Sequence, residues 1–227
     1  MTLRFDVRHK EQGYRRSALF AVELLDAVTL ERVTHGITIV ADGLRGAPIV
    51  NTSGLFVWRK EDLALFQKVS INPGILPYES LDVPRAQLRL PPTVIPLTTI
   101  ELPPLANYPF AAGITAARGT LIEEHAVPLI PVANAAIGLR WLDEDGTTWR
   151  DAPITSHTTA RGDFVSVLRL TPTQVPHVDA NGALTVRLRA GRGAHTRVSS
   201  DLTLPQGRVA DPSTLTTLIV AWDEMQA

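Results

Sequence analysis

The sequence predicts an all-β chain of two tandem β-sandwich domains joined by a Pro-rich extended linker. Three observations predict this. First, one ordered pattern occurs twice. Residues 36–57 carry Gly36-Ile37-x-Ile39, Asp42-Gly43, Ala47-Pro48-Ile49 and Gly54-x-Phe56-Val57. Residues 136–165 carry Ala136-Ile137-x-Leu139, Asp145-Gly146, Ala152-Pro153-Ile154 and Gly162-x-Phe164-Val165. Second, apolar residues recur in short runs of period two, bounded by turn residues, and long amphipathic helical patterns are absent. Third, 227 residues suit two units of roughly 100 residues each.

Each element follows in order. Leu3, Phe5 and Val7 alternate with Arg4, Asp6 and Arg8, as in a strand with one buried face. Ala18–Leu25 is a denser apolar run, suited to an inner strand. Gly36–Ala41 is β-branched and stops at Asp42-Gly43, a turn dipeptide. Leu55–Trp58 and Val69–Ile71 read as strands, the second broken by Asn72-Pro73-Gly74. Between them, Glu61–Gln67 reads as one helical turn or a loop, with Asp62 as its N-cap. In the second half, Ala136–Leu142 is a strand, Asp143-Glu144-Asp145-Gly146 its turn and Thr148–Arg150 the return of a hairpin. Phe164–Leu170 alternates, Asn181-Gly182 signals a hairpin before Leu184–Arg189, and Thr216–Trp222 forms the last strand.

The boundaries follow from composition. Residues 1–90 form the first sandwich, 91–112 the linker and 113–227 the second sandwich. Pro84, Pro91, Pro92, Pro96, Pro103, Pro104 and Pro109 punctuate a stretch otherwise rich in Leu, Ile, Thr and Val. Proline lacks the N–H that a central strand needs, and flexible linkers are polar and Gly/Ser-rich. An extended connection with edge-strand or polyproline character, packed in part on a domain, is expected there.

Two motifs carry a family resemblance. Pro131-Val132-Ala133-Asn134-Ala135-Ala136-Ile137-Gly138-Leu139 is followed by Thr159-Ala160-Arg161-Gly162-Asp163-Phe164. This resembles the carboxypeptidase-regulatory-like domain, a transthyretin-like (prealbumin-like) β-sandwich. Residues 27–57 resemble a more divergent copy, through Val33-x-x-Gly36-Ile37-x-Ile39 and Thr52-Ser53-Gly54-Leu55-Phe56. The resemblance implies a non-catalytic, fold-assisting or interaction module. Gly54 and Gly162 are expected to permit a tight turn, and Phe56 and Phe164 to plug the core between sheets.

Composition excludes several chemistries. With no cysteine there is no disulfide, thiolate metal site or cysteine nucleophile. Hydrophobic content of 44% with 20% charged residues suits a folded chain. A net charge of −1 offers no general attraction to nucleic acid or an anionic membrane. Only Lys10, Lys60 and Lys68 are lysines, so the basic residues are mostly arginine, as codon bias in a GC-rich bacterial or phage genome produces. The six histidines fall in no H-x-x-x-H or H-x-H spacing, and neither a nucleophile elbow nor a phosphate loop is present. Asp143-Glu144-Asp145-Gly146 is a fragment of a calcium loop without its remaining ligands. Arg161-Gly162-Asp163 spells a cell-adhesion tripeptide but sits at the turn before Phe164. No catalytic, cofactor or metal residue is therefore assigned.

What remains is interaction. Arg187, Arg189, Arg192 and Arg197, with His195, make a local basic patch, and Arg187 and Arg189 share a strand face. Trp149 and Trp141 flank one hairpin, where stacking on a ligand is geometrically feasible. The N-terminus lacks an apolar h-region, so cytoplasmic synthesis without a signal peptide is expected. The resulting expectation is a non-enzymatic structural component of a larger bacterial or phage particle, of the phage-tail or contractile-injection type. Its partners are other protein subunits, or further copies of itself, rather than nucleic acid or membrane. Such a particle would place it in a virion or an extracellular injection assembly. The alternative is a glycan- or ligand-binding accessory module.

Overall fold

The computed structural model describes residues 4–5, 16–59, 62–210 and 218–227. Among these the chain is all-β, with a single 3-10 turn at Arg85–Gln87 and no α-helix. It divides into two compact units, Met1–Leu102 and Pro103–Ala227.

The first unit contains β1 (Arg4–Phe5), β2 (Arg16–Asp26), β3 (Thr38–Asp42), β4 (Ile49–Val50), β5 (Phe56–Arg59), β6 (Lys68–Asn72), β7 (Leu81–Pro84) and β8 (Leu97–Leu102). One sheet runs β4-β5-β2, with β1 antiparallel and β8 parallel to β2. The other runs β3-β6-β7. The dense apolar run is β2, paired on both edges as an inner strand must be. Both sheets contribute to one core: Phe20, Val22, Leu24, Phe56 and Trp58 meet Ile39, Ala41, Val69, Ile71 and Val83. Phe20 stacks on Trp58 at 4.7 Å with the rings 15° apart. The arrangement is compatible with a β-sandwich.

Two sequence expectations are refined in this unit. Leu3 and Val7 lie outside the described residues, as does Glu61. From Asp62 onward the loop is a turn rather than a helix, Asp62 Oδ1 accepting the Ala64 N–H at 2.9 Å. The segment expected as an extended connection contains β8, which pairs with β2 from Ala21↔Leu97 to Asp26↔Leu102.

The second unit contains β9 (Thr115–Ile122), β10 (Ala136–Leu142), β11 (Trp149–His157), β12 (Asp163–Leu168), β13 (Ala183–Arg192), β14 (His195–Val198), β15 (Leu202–Pro205), β16 (Val209–Ala210) and β17 (Ile219–Ala221). One sheet runs β11-β10-β13, with β14 and β15 both on β13. The other pairs β12 with β9, along which β16 and β17 run parallel. Ile137, Leu139, Trp141, Leu184, Val186 and Leu188 of the first sheet share a core with Ala117, Leu121, Phe164, Leu168 and Val220 of the second. Residues 211–217, including Thr216 of the expected last strand, lie outside the described residues.

β10 spans the expected Ala136–Leu142, and residues 131–135 of the family-like motif precede it. Asn134 adopts a positive φ of 54°, which bends the chain out of the strand direction. Thr158, buried, ties this bend down. Its Oγ1 donates to the Val132 carbonyl at 2.7 Å and accepts the Ala135 N–H at 2.8 Å.

Candidate functional site

The repeated Gly-x-Phe segments form the same turn. Asn51 N–H donates to the Leu55 carbonyl at 3.0 Å and Gly54 N–H to the Asn51 carbonyl at 2.9 Å. Thr159 N–H donates to the Asp163 carbonyl at 2.8 Å and Gly162 N–H to the Thr159 carbonyl at 2.9 Å. Asn51 Oδ1 accepts from Ser53 and Leu55 N–H, and Thr159 Oγ1 from Arg161 and Asp163 N–H. Gly54 and Gly162 take nearly equal positive φ angles, 77° and 78°, each at the left-handed last position of a three-residue turn. Phe56 and Phe164 then point into their cores, 3% and 1% exposed. A third turn repeats the device: Asp179 Oδ1 accepts from Asn181 and Ala183 N–H, with Gly182 at a φ of 77°. Arg161-Gly162-Asp163 is thus the turn itself, with Asp163 Oδ1 accepting from Thr120 Oγ1 at 3.2 Å.

The arginines on β13 build a second feature. Burial alternates along the strand, so Leu184, Val186, Leu188 and Ala190 face the core while Thr185, Arg187 and Arg189 face outward. Antiparallel register sets Arg140 of β10 directly opposite Arg187, and Asp151 of β11 opposite Arg140. Like charges facing each other across strands repel, and two carboxylates relieve this. Asp151 lies 3.2 Å from Arg140 Nε and 3.5 Å from Arg189 Nη1, and Asp201 lies 2.6 Å from Arg187 Nε. The Arg187 guanidinium also covers the Trp149 ring, 4.0 Å from its centroid. The face therefore holds three guanidiniums, two carboxylates and one indole. Arg140 Nε, though close to Asp151, makes no aligned hydrogen bond.

The structure separates the four arginines that the sequence groups together. Arg197 registers with Ala190, a core-facing position. Its guanidinium donates to the Trp222 carbonyl at 2.6 Å and lies over the Trp222 ring. Arg192 pairs with Glu123 at 2.5 Å. Only Arg187 and Arg189 share the outward face, because residues an odd number apart on a strand point to opposite sides. Trp141 is buried in the core, so of the two tryptophans flanking the hairpin only Trp149 lies on the arginine face.

Arg140, Asp151 and Asp201 escape a reading by motif. Their signal lies in hairpin register, which places Arg140 against both Asp151 and Arg187.

The polar turns are structural as well. In the β10–β11 hairpin, Asp145 accepts the N–H groups of Thr147 and Thr148 and the Thr148 hydroxyl. These bonds, the hydroxyl foremost, hold its carboxyl well below the usual range. Among the described residues no group of three or more His, Asp or Glu side chains is placed to hold a metal ion. No helix among them is long and apolar enough to cross a membrane. No family model, no curated protein and no solved structure matches the chain.

Proposed function

We propose that this chain is a non-enzymatic structural component of a larger bacterial or phage particle, of the phage-tail or contractile-injection type, working through protein–protein contacts. We read its two units as tandem transthyretin-like β-sandwich modules. The two facing sheets around one core in each unit support that reading, as does the shared Gly-x-Phe turn. The functional part rests on one observation: the second unit holds a run of large apolar side chains out at a loop tip. Ile75, in the β6–β7 loop, is 100% exposed and Val127, in the β9–β10 loop, 98%. Ile75 stands singly, which is ordinary on a folded surface, whereas Val127 continues into exposed Leu129 and Ile130, the contiguous kind of apolar surface that a partner covers.

The alternative of a glycan-stacking module has less support, since the Arg187 guanidinium occupies one face of the Trp149 ring. Gradient sedimentation of native lysate, followed by crosslinking, tests the proposal. The chain is expected in a high-mass fraction, crosslinked to other subunits. Recovery as a free monomer, with no crosslinked neighbour, overturns it.

A further inference from the structure

The loop joining β9 to β10 is unusual in chemistry and in how firmly it is held. Loop tips are ordinarily polar and rich in turn residues. From Val127 to Ala133 this one has no polar side chain. Val127 is 98% exposed, and Leu129 and Ile130 are 51% each.

Its neck is closed by backbone bonds. Glu123 N–H donates to the Ile130 carbonyl at 2.8 Å, and Val132 N–H to the Leu121 carbonyl at 2.9 Å. Thr158 fixes the returning strand at Val132 and Ala135. Pro128 and Pro131 restrict φ on both sides of Leu129-Ile130. The apolar tip is thus presented by a pre-ordered backbone, which reduces the entropy lost on association.

Three exposed carboxylates stand beside the tip, set against Arg161, exposed on the turn whose Gly162 lies close to Pro131. Asp223 N–H donates to the Glu123 carbonyl at 3.1 Å, which brings the segment after β17 alongside the start of the loop. Glu124, Asp223 and Glu224 are all exposed there. Glu224 lies 3.7 Å from His125 Nε2. Arg192, the nearest guanidinium on β13, is already engaged by Glu123. An anionic bilayer would be repelled by this collar, whereas a cationic rim would be drawn to it.

We infer that residues 123–131 form a docking tip, and that its partner is a protein presenting an apolar pocket bordered by lysine or arginine. The inference rests on the reading above that the chain works through protein contacts, and it assigns the chemistry of one such contact.

The test uses the full chain and three fluorescein-labelled peptides: an amphipathic Leu/Lys repeat, its Leu/Glu twin and a Lys/Ser repeat. Fluorescence anisotropy is expected to show the Leu/Lys peptide binding at least tenfold more tightly than either of the others. The triple variant Val127→Ser, Leu129→Ser, Ile130→Ser is expected to weaken that binding at least tenfold with an unchanged thermal midpoint. Glu124→Gln with Glu224→Gln is expected to weaken it severalfold and to flatten its salt dependence. Equal affinity for the three peptides overturns the inference, and so does wild-type binding by the loop variant. Tighter binding to phosphatidylserine vesicles than to the Leu/Lys peptide does the same, as does concentration-dependent dimerisation that the loop variant abolishes. Particle association that persists in the loop variant without peptide discrimination defeats this inference alone. Peptide discrimination by a chain that remains a free monomer in native lysate defeats the particle reading instead.

Discussion

The two units share a turn but differ in where the preceding strand goes. In the first, Ala47-Pro48-Ile49 leads into β4, which pairs with β5 in the sheet that carries Phe56. In the second, Ala152-Pro153-Ile154 lies within β11, which pairs with β10 in the opposite sheet. The partners of the two phenylalanines differ as well: Phe56 sits opposite Val22, and Phe164 opposite Gly119. The local device, a side-chain-capped turn with a left-handed glycine, is therefore kept while the strand before it changes sheets. A turn is fixed by residues three or four apart, whereas the choice of sheet depends on pairing energies spread over many residues. The longer β11 pairs from Ala136↔His157 to Leu142↔Trp149 across a bulge, whereas β4 makes only two pairs.

The strongest way to break this comparison is to remove the plugs. Phe164→Ala and Phe56→Ala should each cost about 3–5 kcal/mol, read by urea denaturation with tryptophan fluorescence. Similar losses keep the two rings equivalent. A small effect at Phe56 alone would mean that the shared turn does not carry a shared core role.

The facing positions sharpen it further. A Cβ on Gly119 would stand 2.3 Å from the Leu218 carbonyl and 2.8 Å from Phe164 Cζ, so Gly119 lets that ring lie against the strand. Gly119→Val should cost about 1–3 kcal/mol or more through overpacking, although the first unit holds a valine at the matching position. Loss of the transition midpoint checks this, and an unchanged midpoint would show that the ring can move aside.

The turn glycines should separate by a smaller margin. Both pay the left-handed penalty of about 1–2 kcal/mol when replaced by alanine. At Gly162 the new Cβ also meets the Leu121 backbone carbonyl at 2.3 Å, while at Gly54 it meets the Thr34 methyl at 2.5 Å. A side chain can yield where a paired backbone cannot, so Gly162→Ala should lower the thermal midpoint more than Gly54→Ala.

The smallest expected effect concerns acid. Asn51 and Asp179 cap equivalent turns, and only the second titrates. Bonds from the Ala183 and Asn181 N–H groups hold the Asp179 carboxyl below its ordinary value. Its contribution is therefore present above the unfolded pKa, near 3.9, and is lost as pH falls through the folded one. The midpoint of Asp179→Asn should be less sensitive to pH than that of the wild type as pH falls below about 4. Parallel curves would show that the bond adds nothing.

These contrasts mark what the residues reveal unaided. The Gly-x-Phe turns, the Asn181-Gly182 hairpin and the inner strand at Ala18–Leu25 are legible because each depends on neighbours in sequence. The division of Arg187 and Arg189 from Arg192 and Arg197 depends on the pairing Ala190↔Arg197, which a linear patch of charge conceals. Asp151 meets Arg140 only through the register of the β10–β11 hairpin, and Asp201 reaches Arg187 from beyond β14, so neither contact shows as a motif. The repeated Ala-Pro-Ile reads alike in both copies because its sheet is chosen by long-range pairing. The apolar tip at Val127–Ile130 looks like ordinary core sequence until the backbone turns it outward.

The parallel strands that close each unit have a mechanical consequence. In the first, β2 near the start and β8 at the end lie side by side and point the same way, joined from Ala21↔Leu97 to Asp26↔Leu102. In the second, β17 lies likewise along β9. Tension applied at the two ends of such a unit drags neighbouring strands past one another, so the cross-links between them share the load and must rupture together. Opening them one at a time, like a zipper, would need far less force. Each unit is thus strung so that traction along the polypeptide meets its stiffest direction.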